Sequence, residues 1–203
     1  MMKTILFDLD GTLIDARKRL YDLFQYLVPL SRLTFEEYWD LKRNKINHHT
    51  ILTTQFGYSE FDYTAFEKNW LNLIETEEYL KKDMIFDGVI ETLEKLKYKI
   101  YLLTARQSVP MLHWQLKKLK LFDFFDDILV TEHKISKVDL LKKIKLSSDD
   151  FFVGDTGLDI LAGKEIGLKT IAVAYGFVAK EKLEEYQPDF IVNDFNEIKK
   201  IIR

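Results

Sequence analysis

The sequence, 203 residues long, contains no cysteine. That excludes disulfides, thiol nucleophiles and thiolate zinc sites together, and it fits a reducing compartment. Prolines number three (Pro29, Pro110, Pro188) and glycines eight, too few for disordered tracts. Charge of one sign is also missing: 30 Lys and Arg against 33 Asp and Glu leave a formal net charge of −3. Such a balance disfavours nucleic acid or an anionic membrane as the main partner. No apolar stretch approaches the roughly 20 residues that a membrane helix needs. The short apolar run after Lys3 is cut by Asp8 and Asp10 before it reaches signal-peptide length, so the expected location is the cytoplasm.

Hydrophobic residues make up 47% and aromatics 14%, enough to build the core of one domain, or of one domain carrying a smaller insert. Thr4–Phe7 is wholly apolar apart from its first residue, as a strand buried on both faces should be. Similar runs recur at Ile100–Leu103, Ile128–Val130, Phe151–Val153, Thr170–Val173 and Phe190–Val192. Between them, Glu91–Lys97, Met111–Leu119, Lys137–Ile144 and Leu158–Ile166 have helical periodicity, and Gly167 supplies a stop. Strands alternating with helices predict a Rossmann-like, doubly wound parallel sheet covered on both faces. From Asp15 to Asp83 that rhythm fails and only helical stretches follow. Thr34 with Glu37, and Ser59 with Asp62, read as capping boxes. Ala65, Phe66, Trp70, Leu73 and Ile74 form an apolar stripe. The expectation is a core of residues 1–14 and 84–203 interrupted by an α-helical cap at 15–83, in a monomer or homodimer.

Phe7-Asp8-Leu9-Asp10-Gly11-Thr12 ends the first buried strand, at the edge where open parallel sheets gather ligands. Asp8 and Asp10 are two apart and can point into one site, where their repulsion calls for a divalent cation. Oxygen-only ligands favour magnesium. A second acidic cluster, Gly154-Asp155-Thr156-Gly157-Leu158-Asp159, follows a later strand, and its two carboxylates share a helical face. Thr104 and Lys137, at the same sheet edge, offer a hydroxyl and an ammonium to a phosphoryl group.

In order and spacing, residues 3–14 and 86–203 resemble the haloacid dehalogenase superfamily, phosphatase branch. The Tyr175-Gly176-Phe177 and Pro188–Val192 stretches are similar to its phosphoglycolate-phosphatase-like members. The resemblance implies Mg²⁺-dependent hydrolysis of a small phosphate monoester, a phosphorylated metabolite, through an aspartyl-phosphate on Asp8. It casts Asp10 as acid and then base, Thr104 as a phosphoryl ligand, and Lys137 as the neutralising cation. Asp8, Asp155 and the main-chain carbonyl of Asp10 would hold the metal, with Asp159 supporting the ion or Lys137. Ala105 stands where the family often has Asn, which leaves only its N–H for phosphate. Lys134 rivals Lys137, although Ser136 can cap a helix beginning at 137.

Other residues divide between substrate contact and plain surface. Arg106 reads as a surface charge or as a clamp on a second substrate anion. Arg43, Lys45, His48 and His49 form a basic knot that is either a solvated face or a contact for the leaving group. The motifs alone do not separate a hydrolase from a phosphomutase working through the same aspartyl-phosphate. Dehalogenase chemistry is disfavoured by Asp10 and Asp155, and a signalling receiver domain by the position of Asp8 after the first strand.

Overall fold

A computed structural model of the chain describes residues 2–202. The chain divides into two compact units, one running up to Asp15 and resuming at Met84, the other spanning Ala16–Asp83.

The first unit is built on six parallel strands: β1 (Thr4–Phe7) and, beyond a short antiparallel pair β2 (Ile14–Asp15) and β3 (Met84–Ile85), β4 (Lys99–Thr104), β5 (Asp127–Val130), β6 (Phe151–Gly154), β7 (Lys169–Val173) and β8 (Phe190–Val192). Their order is β5-β4-β1-β6-β7-β8, so β1 lies between β4 and β6. The order reverses at that point, and a crevice opens beyond the carboxyl ends of these three strands. Alternation along each strand explains why both faces are buried. Ile5, Phe7, Leu102 and Val153 join one apolar cluster, while Leu6, Leu103 and Phe152 join another on the opposite face. Leu93 and Leu112 cover the first face, from helices Val89–Lys95 and Val109–Lys118; Leu141 and Ala162 cover the second, from Lys137–Leu141 and Gly157–Ile166. Gly167, at φ 82°, stops the last of these helices as expected.

The second unit is helical throughout: α1 (Arg17–Leu27), α2 (Phe35–Arg43), α3 (His48–Gln55), α4 (Glu60–Leu73) and α5 (Glu77–Leu80). Thr34 and Ser59 close the capping boxes that the sequence predicts, with Glu37 and Asp62 as partners. The predicted stripe on α4 is only partly real, for Phe66 is buried while Ala65 is exposed. Beneath the helices, Arg19 and Asp83 form a buried ion pair at 3.2 Å. Among the described residues no helix is long and apolar enough to cross a membrane.

Two expectations shift. Asp15, read as the start of the insert, belongs to the sheet-bearing unit because its backbone pairs with Met84. Strands β2 and β3 had no signal in the sequence, since two residues are too few to show a period.

Candidate active site

A cavity of about 490 Å³ opens at the carboxyl edge of β1 and β4, lined among others by Asp8, Asp10, Thr104, Ala105, Arg106, Lys137 and Asp159. Asp8 follows the last residue of β1 and is 6% exposed; Asp155 follows β6 and is fully buried. Carboxylate oxygens of Asp8, Asp155 and Asp159 lie within 4.8 Å of one another. Oxygen ligands gathered in this way could hold a hard divalent cation. Lys137 Nζ donates to Asp8 Oδ1 and, at 2.6 Å, to Asp159 Oδ1. Three carboxylates thus face one ammonium, an excess of negative charge that magnesium fits.

Electrostatics reflect that crowding. Burial, partly countered by Lys137, pushes the Asp8 carboxyl up to about 7. Burial, then the charges of Asp8 and Asp159, lifts Asp155 well above the usual carboxylate range. Burial works against the Lys137 ammonium, but Asp159 and Asp8 outweigh it and hold it above its ordinary value. Lys137 therefore stays charged at neutral pH.

Local sequence explains each placement. Ser136 caps the helix that begins at Lys137, its hydroxyl accepting the N–H of Asp139, so the lysine leaves the first turn towards the sheet edge. Lys134 lies elsewhere, paired at 2.9 Å with Glu132 and exposed. Thr156 caps the helix after β6 in a capping box with Asp159. The box splits that carboxylate: Oδ2 takes the Thr156 N–H and hydroxyl, while Oδ1 is left for Lys137. Thr104 is buried at the cavity wall and Ala105 is exposed there.

Arg106 and His48, two of the expected substrate contacts, are held by other side chains. Arg106 is buried and not a surface charge. It is 4% exposed, and its guanidinium grips Asp10, Nε to Oδ2 at 2.5 Å and Nη2 to Oδ1 at 2.8 Å. Adjacency of β4 and β1 makes this possible: Arg106 lies two residues past the end of one strand and Asp10 three past the end of the other. His48 belongs to the packing of the helical unit, its ring 4.3 Å from Trp70 and 5.5 Å from Phe24, with Nε2 2.8 Å from the Tyr38 hydroxyl. Burial, then Lys42, lowers its proton affinity well below the ordinary value, so it is neutral and contributes no positive charge. His49 turns to Glu60 at 2.8 Å. Arg43 remains in the last turn of α2, partly exposed.

Other contributors are missed by the sequence reading. Phe177 donates its main-chain N–H to Asp155 Oδ2 at 2.6 Å, and the Tyr175 hydroxyl donates to the Thr12 carbonyl at 2.8 Å. Gly11, at φ 83°, lets the loop turn beside Asp155, where a Cβ would come within 2.1 Å of the carboxylate. Gln115 is 1% exposed and accepts from Arg106 Nη2 at 2.9 Å. Its signal was available: it shares the buried face of its helix with Leu112, and a polar residue there needs a partner.

Comparison with known proteins identifies the family. The sequence model of haloacid dehalogenase-like hydrolases matches residues 5–173. A pyrophosphatase, PpaX of Bacillus mycoides, is 30% identical over 220 residues, covering 99% of this chain and 97% of its own. Among solved structures, a haloacid dehalogenase-like family hydrolase from Streptococcus pneumoniae superposes with a TM-score of 0.83 at 22% identity, covering 100% of this chain and 99% of that one. A subfamily IA hydrolase of the same superfamily from Geobacter sulfurreducens gives 0.71 at 18%, covering 100% and 97%. With a family match over most of its length and a full-length relative at this identity, the chain belongs to the haloacid dehalogenase-like hydrolases and is a phosphatase of that family.

Proposed function

We propose that the protein hydrolyses a small phosphate monoester through a phosphoryl ester on Asp8. The observation that carries this reading is the convergence of Asp8, Asp155 and Asp159 within 4.8 Å, with Lys137 bonded to Asp8. In the first step an Asp8 oxygen bonds to phosphorus as the ester P–O bond breaks, and Asp10 gives the departing oxygen a proton. In the second, Asp10 takes a proton from water, whose oxygen displaces Asp8 and releases phosphate. Thr104 and the N–H of Ala105 hold the phosphoryl oxygens, and Lys137 offsets charge on them and on Asp8.

Asp8, Asp155 and the main-chain carbonyl of Asp10 would hold Mg²⁺, with Asp159 supporting the ion or Lys137. Bound there, the ion supplies fixed positive charge that lets a carboxylate approach a phosphate dianion. On this reading the sheet-bearing unit grips the phosphoryl group common to all monoesters, and the helical insert acts as the cap that selects the leaving group, with Arg43 as a contact. The hydrolase relatives do not favour the phosphomutase alternative.

The name of the PpaX relative favours a second substrate, inorganic pyrophosphate, whose leaving group is phosphate. Phosphate release from pyrophosphate and from a panel of sugar, carboxylic-acid and aryl monoesters, with and without Mg²⁺, decides between them. Preference for an organic monoester supports the first substrate, and preference for pyrophosphate the second. Full activity in excess chelator, or an isomeric sugar phosphate as product in place of free phosphate, overturns the mechanism.

A further inference from the structure

Asp10 is gripped from an unexpected side. The Arg106 guanidinium, 4% exposed, reaches both oxygens of its carboxylate, at 2.5 and 2.8 Å. The arginine is itself steadied at two points. Gln115, buried on the helix Val109–Lys118, accepts from Nη2 at 2.9 Å, and the Arg106 carbonyl accepts the N–H of Glu132 at 3.0 Å. A two-oxygen grip fixes the plane of a carboxylate as well as its distance. A proton is passed only over roughly 2.6–3.2 Å between heavy atoms, so a carboxylate free to rotate spends much of its time out of reach.

We propose that Arg106, steadied by Gln115, is the positioning residue for Asp10 and serves the reaction through that carboxylate, not by binding substrate. This rests on Asp10 being the acid and base of the proposed mechanism. Lysine does not replace arginine here, because an ammonium is a point charge without the planar fork.

The test is kinetic, on the whole protein with Mg²⁺ present, using aryl phosphates whose leaving groups range from p-nitrophenol to phenol. Arg106→Ala is expected to lower kcat/KM ~100-fold for the least acidic leaving group and less for p-nitrophenol, since general acid–base catalysis is worth about 10²- to 10⁴-fold. KM should stay within about twofold, because the guanidinium meets Asp10 and not the ester. Arg106→Lys should recover only part of the loss. Gln115→Leu should show the same leaving-group pattern more weakly, and it carries the test if the Arg106 variants fold poorly. On p-nitrophenyl phosphate, Asp10→Asn/Arg106→Ala should be no slower than Asp10→Asn, as expected of two residues acting as one unit.

A raised KM for doubly anionic esters with kcat intact would make Arg106 a substrate clamp and overturn the proposal. So would equal loss of kcat/KM on every leaving group, which marks structural support alone, or a double variant slower than Asp10→Asn. An Asp10→Asn enzyme with wild-type turnover overturns the acid–base assignment itself, a result separable from the others because it needs no Arg106 variant.

Discussion

The N–H of Phe177 reaches Asp155 Oδ2 at 2.6 Å, although the two residues leave the sheet from different strands, β7 and β6. Gly176 allows that approach. A Cβ there would lie 2.3 Å from the Asp155 Cβ and 2.5 Å from the Gly11 carbonyl, and neither can move far. Gly176→Ala should therefore displace Asp155 and raise the Mg²⁺ concentration for half-maximal activity by ~10- to 100-fold, the usual cost of disturbing a ligand's support. Titrating activity with Mg²⁺ checks this; an unchanged midpoint would sink the idea that this clasp sets the metal ligand.

Asp8→Asn keeps the shape of the side chain but removes the attacking charge. Turnover is expected to fall by about three orders of magnitude or more while the circular dichroism spectrum is retained. Near wild-type kcat in the purified variant would remove Asp8 as the nucleophile.

Lys137→Ala and Lys134→Ala separate two neighbours of the same type. Lys137 bonds to Asp8 and Asp159, whereas Lys134 pairs with Glu132 at the surface. The first change should cost about 10²-fold or more in kcat, as loss of a transition-state charge does, and the second should leave kinetics and stability untouched. Equal effects would contradict the assignment.

Acidity and metal are linked through the carboxylates. Burial above all raises Asp8 to about 7 from its ordinary 3.8, and Asp155 moves in the same direction. Between those values the folded protein holds more protons than the unfolded chain, so this site's contribution to stability falls as pH rises through the window. His48 opposes it: its folded value lies well below 6.5, so the stability it contributes is lost as pH falls below that point. Added Mg²⁺ competes with protons at the carboxylates and not at His48. In metal-stripped protein, the rise in Tm caused by Mg²⁺ should grow from about pH 5 to about pH 8. A rise that is flat or shrinks with pH would place the ion elsewhere.

Arg43 and His48 should part company. Arg43→Ala is expected to raise KM ~5- to 150-fold for some substrates with kcat nearly kept, the range of one lost specificity contact. His48→Ala removes a ring packed on Trp70 and Phe24 and should lower stability by ~2 kcal/mol, leaving substrate preference unchanged. Denaturant melts and kcat/KM across several esters read both; an unaltered preference order in Arg43→Ala moves selection elsewhere.

Much of this was legible beforehand because the relevant patterns are short-range. The apolar runs of β1 and β6 mark strands buried on both faces, and the capping boxes at Thr34 and Ser59 mark helix starts. Asp8 and Asp155 stand immediately after two such strands, so the carboxylates could be placed together before any coordinates. The partners of Arg106 and His48 could not be read for the opposite reason. Their environments depend on residues far along the chain or on another helix: Asp10 is 96 positions from Arg106, and Tyr38 and Trp70 flank His48 from α2 and α4. Charge in a sequence says nothing about whether a side chain ends up solvated. The Phe177 contact was invisible because it uses a main-chain N–H, which every residue but proline possesses.

Strands β2 and β3 pair Asp15 with Met84, so the chain departs from the sheet-bearing unit and rejoins it at neighbouring points. Topologically the helical unit is the loop of a hairpin. Loop-closure entropy grows only logarithmically with length, so lengthening, shortening or replacing that loop costs the hairpin's base little. Change can therefore accumulate in the helices, in size as well as in sequence, without disturbing the register of the strands that carry Asp8, Thr104 and Asp155.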